Sequence, residues 1–592
     1  MFQSFETAAR PEQGPPRLAA LRAELAAEGL DGFLVPRADA HQGEYVAPHD
    51  DRLAWLTGFT GSAGFCVALR DSAGVFVDGR YRVQVKAQVA TEFTPVDWPE
   101  TSLGAWIAAR LPQGGRVGFD PWLLSVEQAT RLRADLGAVE LVPVANLVDR
   151  IWTDQPPPPA GRVFAQPEDL AGLSHGDKIA QLAAGLTRAR ACVLTLPDSL
   201  AWLLNIRGSD IPRNPVPHGF ALLQAEGGVT LFMAAEKLAD LGAHLGPQVT
   251  LAGPDAFLPA LRALEGPVQI DPATCPVAVA EALAGRALVE APDPCLLPKA
   301  RKTGAELAGT RAAHLRDGAA MVRFLTWLDA QTPGSFSEID VVRALEAERR
   351  ATNALRDISF ETIAGSGPNG AIVHYRVTEE TDRVVQAGDL LLVDSGGQYQ
   401  DGTTDITRTL AIGPAGDEER QAFTRVLKGM IALSRLRWPE GLAGRDIDAL
   451  ARVSLWEAGL DYGHGTGHGV GAYLSVHEGP QRIARSGTVP LEPGMILSNE
   501  PGFYREGAYG IRIENLIAVE PAPPLPGQTV ARMLRFEMLT YVPIDRHLVE
   551  TGLLTSAERD WLNAYHAEVL ERIAPLVEGA ARDWLGAACA PL

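Results

Sequence analysis

The chain has 592 residues, which is enough for three or four domains of ordinary size. Its composition is that of a globular protein, with 46% hydrophobic and 21% charged residues. The formal net charge of −20 argues against a nucleic-acid partner, because binding to a phosphate backbone requires a basic surface.

The start of the chain and its cysteines both indicate a cytoplasmic protein. Residues 1–10 lack the basic region and the apolar run of a secretory signal, and no apolar stretch reaches the length of a membrane-spanning helix. The cysteines form no C-x-x-C pair, which is typical of reduced thiols; they are Cys66, Cys192, Cys275, Cys295 and Cys589. We therefore expect neither a membrane nor a nucleic acid among its partners.

Two proline-rich stretches divide the chain into three predicted domains. Residues 154–161, Asp-Gln-Pro-Pro-Pro-Pro-Ala-Gly, are typical of a stiff and extended linker, and residues 290–298 form a second candidate linker. The predicted domains are residues 1–153, 154–297 and 298–592.

The first two domains share a motif. Leu53-Ala-Trp-Leu-Thr-Gly-Phe-Thr-Gly-Ser62 aligns with Leu200-Ala-Trp-Leu-Leu-Asn-Ile-Arg-Gly-Ser209. The offset between the two motifs matches the spacing of the linkers, and an apolar strand follows each motif. We therefore interpret the two domains as copies of one α/β unit.

The third domain alternates long helices with antiparallel strand pairs, which is typical of the α+β class. Thr303 and Glu306 form a capping-box pattern at the start of a helix, whose apolar positions continue at Met321, Leu325 and Leu328. A second helical face is predicted from Phe423, Val426, Leu427, Met430 and Ile431.

Four acidic residues of the third domain are candidate metal ligands. Asp394 ends a predicted buried strand, and Asp405 lies in a β-branched stretch that returns antiparallel, so both carboxylates can reach one site. With Glu500 and Glu514 they carry a charge of −4, which two divalent ions neutralise. Two ions about 3.5–4 Å apart can hold a bridging water as hydroxide near neutral pH. The implied chemistry is hydrolysis.

A glycine-rich motif supplies an imidazole to the same site. His464 and His468 are four residues apart, but the glycines around them exclude a helix and predict a loop or strand edge that passes close to metal and substrate. Glu500 follows an apolar strand that Pro501 stops. Arg512 and Glu514, two residues apart, are predicted to lie on one face of a strand.

These motifs resemble the creatinase/aminopeptidase P family, which has the pita-bread fold, and within it the three-domain Xaa-Pro aminopeptidases. The matching residues are 360–375, 401–409, 460–471, 476–480 and 510–515, together with both Trp-Leu motifs, so the resemblance covers nearly the whole chain. It implies an α+β fold with a C-terminal pita-bread catalytic domain preceded by two similar creatinase-N-like α/β domains. It also implies a homodimer.

The resemblance assigns a role to each site residue. The metal ligands would be Asp394, Asp405, His468, Glu500 and Glu514. Glu500 would also carry the proton during catalysis, with His374, His464, His477 and Arg512 as further catalytic residues, and the three histidines would bind substrate. All five ligands are present, unlike in metal-free members of the family such as creatinase. Asn499 replaces a common Asp, which removes no ligand.

The predicted enzyme is a metalloaminopeptidase that hydrolyses the N-terminal Xaa-Pro bond of peptides with proline at the second position. An oxygen-rich donor set suits Mn²⁺, although the general affinity order favours Zn²⁺ or Co²⁺, so the expected cofactors are two divalent ions with Mn²⁺ first. One alternative is a prolidase, which cleaves only dipeptides. Another is a peptide-binding relative without catalysis.

Overall fold

The structure is a computed structural model that describes all 592 residues. The chain forms two compact units, one made of Ala8–Leu296 and the other of Met1–Thr7 together with Leu297–Leu592. No helix is both long enough and apolar enough to cross a membrane.

The unit Ala8–Leu296 contains two α/β repeats. The first repeat has strands β1 Gly32–Pro36, β2 Phe65–Leu69, β3 Ala73–Val77, β4 Thr94–Asp97, β5 Gly115–Phe119 and β6 Val139–Pro143, and helices α1 Gly14–Ala27, α2 Arg52–Thr57, α3 Gln84–Gln88, α4 Leu103–Arg110, α5 Val126–Asp135 and α6 Leu147–Ile151. The second has strands β7 Val163–Ala165, β8 Ala191–Leu194, β9 Ile206–Gly208, β10 Phe220–Gln224, β11 Val229–Phe232, β12 Val249–Ala252, β13 Val268–Ile270 and β14 Leu288–Glu290, and helices α7 Glu168–Ala171, α8 His175–Gly185, α9 Pro197–Leu203, α10 Gly242–Leu245, α11 Phe257–Ala263 and α12 Val277–Ala282.

The two repeats have the same sheet topology. Their six-stranded sheets follow the orders β4-β3-β2-β1-β5-β6 and β12-β11-β10-β8-β13-β14. In each sheet the central strand pairs antiparallel with one neighbour and parallel with the other. The two Trp-Leu motifs form the equivalent short helices α2 and α9. The duplication predicted from those motifs is therefore confirmed.

The repeats also pack on each other. The backbone of Ser125 bridges to that of Pro276, and Val277 of the second repeat lies in the apolar core of the first. The segment after β14 is packed at two positions, Asp293 and Cys295, which are both buried. All five cysteines are buried thiols that form no disulfide with one another.

The second unit mixes long helices with antiparallel sheets. In sequence, α13 Leu296–Ala300 spans the boundary between the first unit and the second. The helices of the second unit are α14 Gly304–Asp329, α15 Glu338–Arg350, α16 Asp417–Ser434, α17 Asp448–Trp456, α18 Ser556–Ile573 and α19 Gly579–Ala588. Its strands are β15 Leu355–Ile358, β16 Ile363–Ser366, β17 Leu390–Ser395, β18 Gly397–Tyr399, β19 Gly402–Thr403, β20 Ile406–Ala411, β21 Arg437–Pro439, β22 Gly467–Gly469, β23 Glu478–Ile483, β24 Ile496–Asn499, β25 Gly502–Arg505, β26 Tyr509–Arg512, β27 Asn515–Pro521 and β28 Met533–Met538.

The predicted helices of this unit are confirmed. Thr303 caps α14 in a reciprocal capping box with Glu306, and the apolar positions predicted for this helix are buried. The predicted apolar face of α16 is fully buried in the main core of the unit. Two antiparallel sheets, β16-β17-β20 and β21-β28-β27-β24-β22-β23, carry the strand ends described below.

The N-terminal segment Met1–Thr7 belongs to this second unit. The Gln3 side chain donates to the carbonyl of Thr362 at 3.2 Å and accepts from its N–H at 2.8 Å. Phe5 is buried in the core that includes Phe324 and Leu325. These contacts fix the segment to a part of the chain that is distant in sequence.

Candidate active site

Asp394 and Asp405 lie on neighbouring strands. Asp394 is near the end of β17, and Asp405 directly precedes β20, which pairs antiparallel with β17 so that Asp394 faces Thr407. The antiparallel return predicted from the sequence is present, although the short strands β18 and β19 lie between the two carboxylates in sequence. Both side chains are buried.

His468 occupies a strand edge rather than a helix, as the glycines around it predict. It is the central residue of β22, between Gly467 and Gly469. A Cβ atom on Gly467 would lie 2.0 Å from the carbonyl oxygen of Ser498, and one on Gly469 would lie 2.3 Å from that of Glu478. Only glycine permits this close approach of the backbones that hold His468.

The prediction of one strand for Arg512 and Glu514 is wrong. Arg512 ends β26, which pairs with β25, whereas β27 begins at Asn515 and pairs with β24. Glu514 lies where the chain changes partner, and its backbone N–H donates to the carbonyl of Thr407 at 3.1 Å. This break directs the Glu514 carboxylate toward the strand that follows Asp405.

The acidic side chains and one imidazole converge. One donor atom each of Asp405, His468 and Glu514 lies within 4.8 Å of the others. The Nε2 atom of His468 is 3.5 Å from an oxygen of Asp405 and 3.5 Å from an oxygen of Glu500. Asp394 lies on the adjacent strand β17, which pairs with β20 directly after Asp405.

The donor set fits divalent cations. One oxygen each of Asp394, Asp405 and Glu514 is buried without a hydrogen-bond partner. Buried carboxylates require a compensating charge, because removing them from water is costly. The Nδ1 atom of His468 lies 2.9 Å from the carbonyl oxygen of Gly469, which can only accept, so Nε2 keeps its lone pair for a metal. Hence these residues could hold two such ions.

The pKa values of Asp405, His468 and Glu514 are raised, so these side chains bind protons when no cation is bound. Burial raises the pKa of Asp405 to about 6, and burial with the neighbouring carboxylates raises that of Glu514 well above its usual value. Burial alone would lower the pKa of His468, but Asp405 and Glu500 raise it to about 9. A metal ion would displace these protons.

Arg512 connects Asp394 to the surrounding loops. Its Nη2 donates to Asp394 Oδ2 at 2.6 Å and to the carbonyl of Val373, next to His374, at 3.3 Å. Its Nη1 donates to the hydroxyl of Tyr504 at 2.6 Å. That hydroxyl lies 2.9 Å from Nε2 of His464. The guanidinium therefore orients one candidate ligand and two histidine-bearing segments.

Two of the predicted active-site histidines lie beside this group, and the third, His374, follows Val373, whose carbonyl contacts Arg512. The ring centroid of His477 is 4.3 Å from that of His468, with the planes at 74°. His464 is linked to Arg512 through Tyr504. All three predicted histidines are half-buried.

Tyr504 and the buried lysines were missed from the sequence. The signal for Tyr504 was its place in the strand directly after Glu500. Lys299 Nζ lies 3.0 Å from Glu478, and Lys302 pairs with the same carboxylate, with all three side chains buried. Glu478 directly follows His477, so this ion cluster fixes the backbone beside that histidine.

Asn499 points away from the ligands. Its amide nitrogen donates to the carbonyl of Met430 at 2.9 Å and to the hydroxyl of Ser434 at 3.1 Å. A carboxylate could not donate to that carbonyl. The departure from the family pattern thus serves packing against α16, while Glu500 faces the site.

The fold and the site together define a metallohydrolase of the pita-bread class. Residues 308–521 match metallopeptidase family M24, and residues 532–592 match the C-terminal region of that family. Residues 17–151 and 154–306 each match a creatinase/prolidase N-terminal domain. The chain belongs to metallopeptidase family M24, and the predicted α+β architecture with two N-terminal creatinase-like domains is confirmed.

Relatives of this chain include aminopeptidases from a plant and a fungus. Aminopeptidase P2 of Arabidopsis thaliana is 38% identical over 605 residues, covering 94% of this chain and 85% of the relative. A probable Xaa-Pro aminopeptidase P of Laccaria bicolor is 39% identical over 600 residues, covering 97% and 93%. These relatives confirm that the enzyme is a metalloaminopeptidase.

Two solved structures share the whole or part of this fold. The X-prolyl aminopeptidase of Caenorhabditis elegans, described as a cytosolic enzyme with a di-nuclear active site, has a TM-score of 0.93 at 33% identity and covers 98% of this chain and 100% of its own. The prolidase of Pyrococcus horikoshii has a TM-score of 0.50 at 23% identity and covers 62% of this chain and 99% of its own, which shows a shared fold alone.

Proposed function

We propose that the enzyme removes the N-terminal residue from peptides whose second residue is proline, with two divalent ions as cofactors. The observation that carries this proposal is the convergence of four carboxylates and one imidazole, in which Asp394, Asp405 and Glu514 each keep one buried oxygen without a hydrogen-bond partner. The relatives named for Xaa-Pro hydrolysis support the substrate class, since each covers almost the whole chain.

We propose Mn²⁺ as the ion, because oxygen-rich sites suit it, with Zn²⁺ and Co²⁺ as alternatives. Bound ions would supply Lewis-acid activation of the substrate carbonyl and of an attacking water held as hydroxide. The di-nuclear site described for the C. elegans enzyme supports two ions rather than one.

Glu500 is proposed as the proton carrier as well as a ligand. Its Oε1 accepts from the Ser498 hydroxyl at 3.0 Å and lies 3.5 Å from His468 Nε2, which fixes the carboxylate beside the other ligands. From there it takes a proton during attack and passes it to the departing proline nitrogen. Positioned acid–base groups contribute about 10²–10⁴-fold to rate.

The histidines bind the substrate. An Xaa-Pro amide has no N–H and its ring is rigid, so recognition depends on shape and on contacts to the carbonyl and the leaving nitrogen. We assign His464 and His477 to that nitrogen and the proline ring, and His374 to the oxyanion of the tetrahedral intermediate. Arg512 holds Asp394 and, through Tyr504, His464 in place.

Peptide hydrolysis with and without added Mn²⁺ tests this proposal. Xaa-Pro-Xaa should be cleaved after the first residue, whereas the Xaa-Ala-Xaa peptide should lose about 10–200-fold in kcat/KM, the contribution of one ring in a pocket. Cleavage restricted to dipeptides would identify a prolidase, and peptide binding without turnover would identify a non-catalytic relative. Full turnover in a metal-free preparation would reject the metal mechanism.

Glu500→Gln separates the two roles of Glu500. The amide keeps one oxygen for a metal but removes the basic site, so kcat should fall by about 10²-fold or more even at saturating Mn²⁺. The matched control is Glu492→Gln, at an exposed ion pair with Arg301 of the same unit. Recovery of wild-type kcat at high Mn²⁺ would leave Glu500 as a ligand only.

We also propose a cytoplasmic homodimer with domains at residues 1–153, 154–297 and 298–592. The family matches that end at 151 and begin at 154 support the first boundary. Leu450, Val453 and Trp456 are exposed at intervals of three residues on α17, an apolar face suited to self-association. Trp456→Glu should convert dimer to monomer in light scattering, and a monomeric wild type would refute the dimer.

A further inference from the structure

A second group of metal-ligating side chains lies in the unit Ala8–Leu296. Asp39 follows β1 and Asp50 precedes α2, both in the first α/β repeat, while His218 precedes β10 in the second. One donor atom from each lies within 4.8 Å of the other two. None of these residues belongs to the catalytic unit.

One carboxylate oxygen of Asp39 faces this group without a well-aligned hydrogen-bond donor. The residue is 1% exposed, and its Oδ1 accepts from the backbone N–H groups of His41 at 2.8 Å and Gly43 at 3.1 Å. Its Oδ2 is buried without a hydrogen bond of normal geometry and faces Nε2 of His218 at 3.3 Å. A buried carboxylate whose second oxygen lacks a donor needs a cation or a well-aligned donor.

His218 is held rigidly in this position. Its backbone N–H donates to Asp210 at 2.6 Å, and its carbonyl accepts from Lys237 at 3.1 Å. Its ring lies 4.4 Å from that of His41. The His41 ring in turn stacks on Phe220 and lies with Nδ1 3.0 Å from the carbonyl of Thr195. Hydrogen bonds and ring contacts that fix a side chain in this way are typical of a preformed metal ligand.

Asp50 adds a second negative charge beside Asp39. Its Oδ1 accepts from Arg52 at 2.9 Å, but Arg52 also contacts both oxygens of Asp149, so its single charge is shared between two carboxylates. Two carboxylates and a neutral imidazole carry −2, which one divalent ion balances. A mixed nitrogen and oxygen donor set with open positions for water suits a first-row ion such as Zn²⁺.

We propose that Asp39, Asp50 and His218 bind one divalent cation, with Zn²⁺ as the probe, and that this ion ties the two α/β repeats together. The ligands come from both repeats, so the ion would add a cross-link to the apolar contacts between them. The site is separate from the catalytic ligands and does not depend on the proposed peptidase activity.

Metal content of the full-length protein tests the site. After equilibrium dialysis against Zn²⁺, Asp39→Asn and His218→Ala should each contain about one ion per chain fewer than the wild type by elemental analysis. The matched control is His175→Ala. His175 also lies next to a second imidazole, His244, but it does not belong to a group of potential metal ligands. Unchanged metal content in both site variants would overturn the proposal and leave a direct Asp39–His218 contact.

A second measurement keeps the test independent of how those variants fold. Asp405, His468 and Glu514 are all replaced by Ala, which disables the catalytic ligands and leaves the unit Ala8–Leu296 unaltered. This protein should retain about one Zn²⁺ per chain, with nitrogen and oxygen but no sulfur neighbours in its X-ray absorption spectrum. Absence of the residual ion would overturn the proposal, whatever the peptidase assays show.

Discussion

Arg408→Lys should strongly destabilise the catalytic unit. Arg408 is 1% exposed in β20, and its guanidinium makes six hydrogen bonds without a carboxylate among the partners. It binds the carbonyls of Pro543, Thr407, Glu514 and Val542, the side-chain oxygen of Asn515 and the hydroxyl of Tyr565. The side chain therefore joins four parts of the chain around Glu514, a proposed metal ligand.

The magnitude follows from the number of donors. An ammonium group has three N–H bonds against five in a guanidinium, so Lys can keep at most three of the six contacts. At about 1 kcal/mol for each lost hydrogen bond, and more where a buried acceptor stays unpaired, the free energy of unfolding should fall by about 3–5 kcal/mol. Arg311→Lys is the matched control. Arg311 is a half-exposed residue that contacts Glu537, and its replacement should cost less than about 1 kcal/mol.

Urea unfolding measured by loss of peptidase activity reports on this unit, with tryptophan fluorescence as the second probe. The Arg408→Lys midpoint should shift well beyond that of Arg311→Lys. Equal midpoints would show that apolar packing alone, and not the buried guanidinium network, holds together the strands that carry the proposed ligands.

Three further outcomes are expected. His566 is buried, and burial lowers its pKa to about 4, so the unfolded chain binds more protons than the folded chain between about pH 4 and 6.5. The free energy of unfolding should therefore fall by up to about 3 kcal/mol as the pH drops through this window. His566→Gln should flatten this pH dependence in urea titrations. Tyr504→Phe removes the hydroxyl between Arg512 and His464 and should lower kcat about 10–100-fold with metal content unchanged; a simultaneous loss of metal would instead indicate a structural role. Because burial raises the pKa of Asp405 to about 6 in the metal-free cluster, metal retained after dialysis should decrease below that pH, and equal content at pH 5 and pH 8 would contradict this.

Local patterns in the sequence predicted the local structure well. The capping box at Thr303, the apolar face of α16 and the strand that ends near Asp394 each depend on neighbouring residues, and all are present. The glycines that flank His468 correctly excluded a helix because their conformational preference is a property of the segment itself.

Contacts between distant segments were beyond the reach of such patterns. The break between Arg512 and Glu514 arises because β26 pairs with β25, whereas β27 pairs with β24. The alternation of residues along the sequence cannot reveal this change of pairing partner. Tyr504 looks like any core aromatic until its hydroxyl meets Arg512. Lys299 gives no signal of burial, because its partner Glu478 lies far away in sequence.

The placement of Met1–Thr7 makes the unit Ala8–Leu296 an insertion within the catalytic unit. Phe5 can therefore reach its place in the core only after the whole insertion and the helix containing Phe324 have been synthesised. A shortened protein made of residues 298–592 would contain every proposed metal ligand, yet it would leave a gap at the Phe5 position and leave the backbone of Thr362 without its partner Gln3. The catalytic unit is continuous in space but not in sequence, so dissecting this protein at its linkers would damage the part that such an experiment aims to isolate.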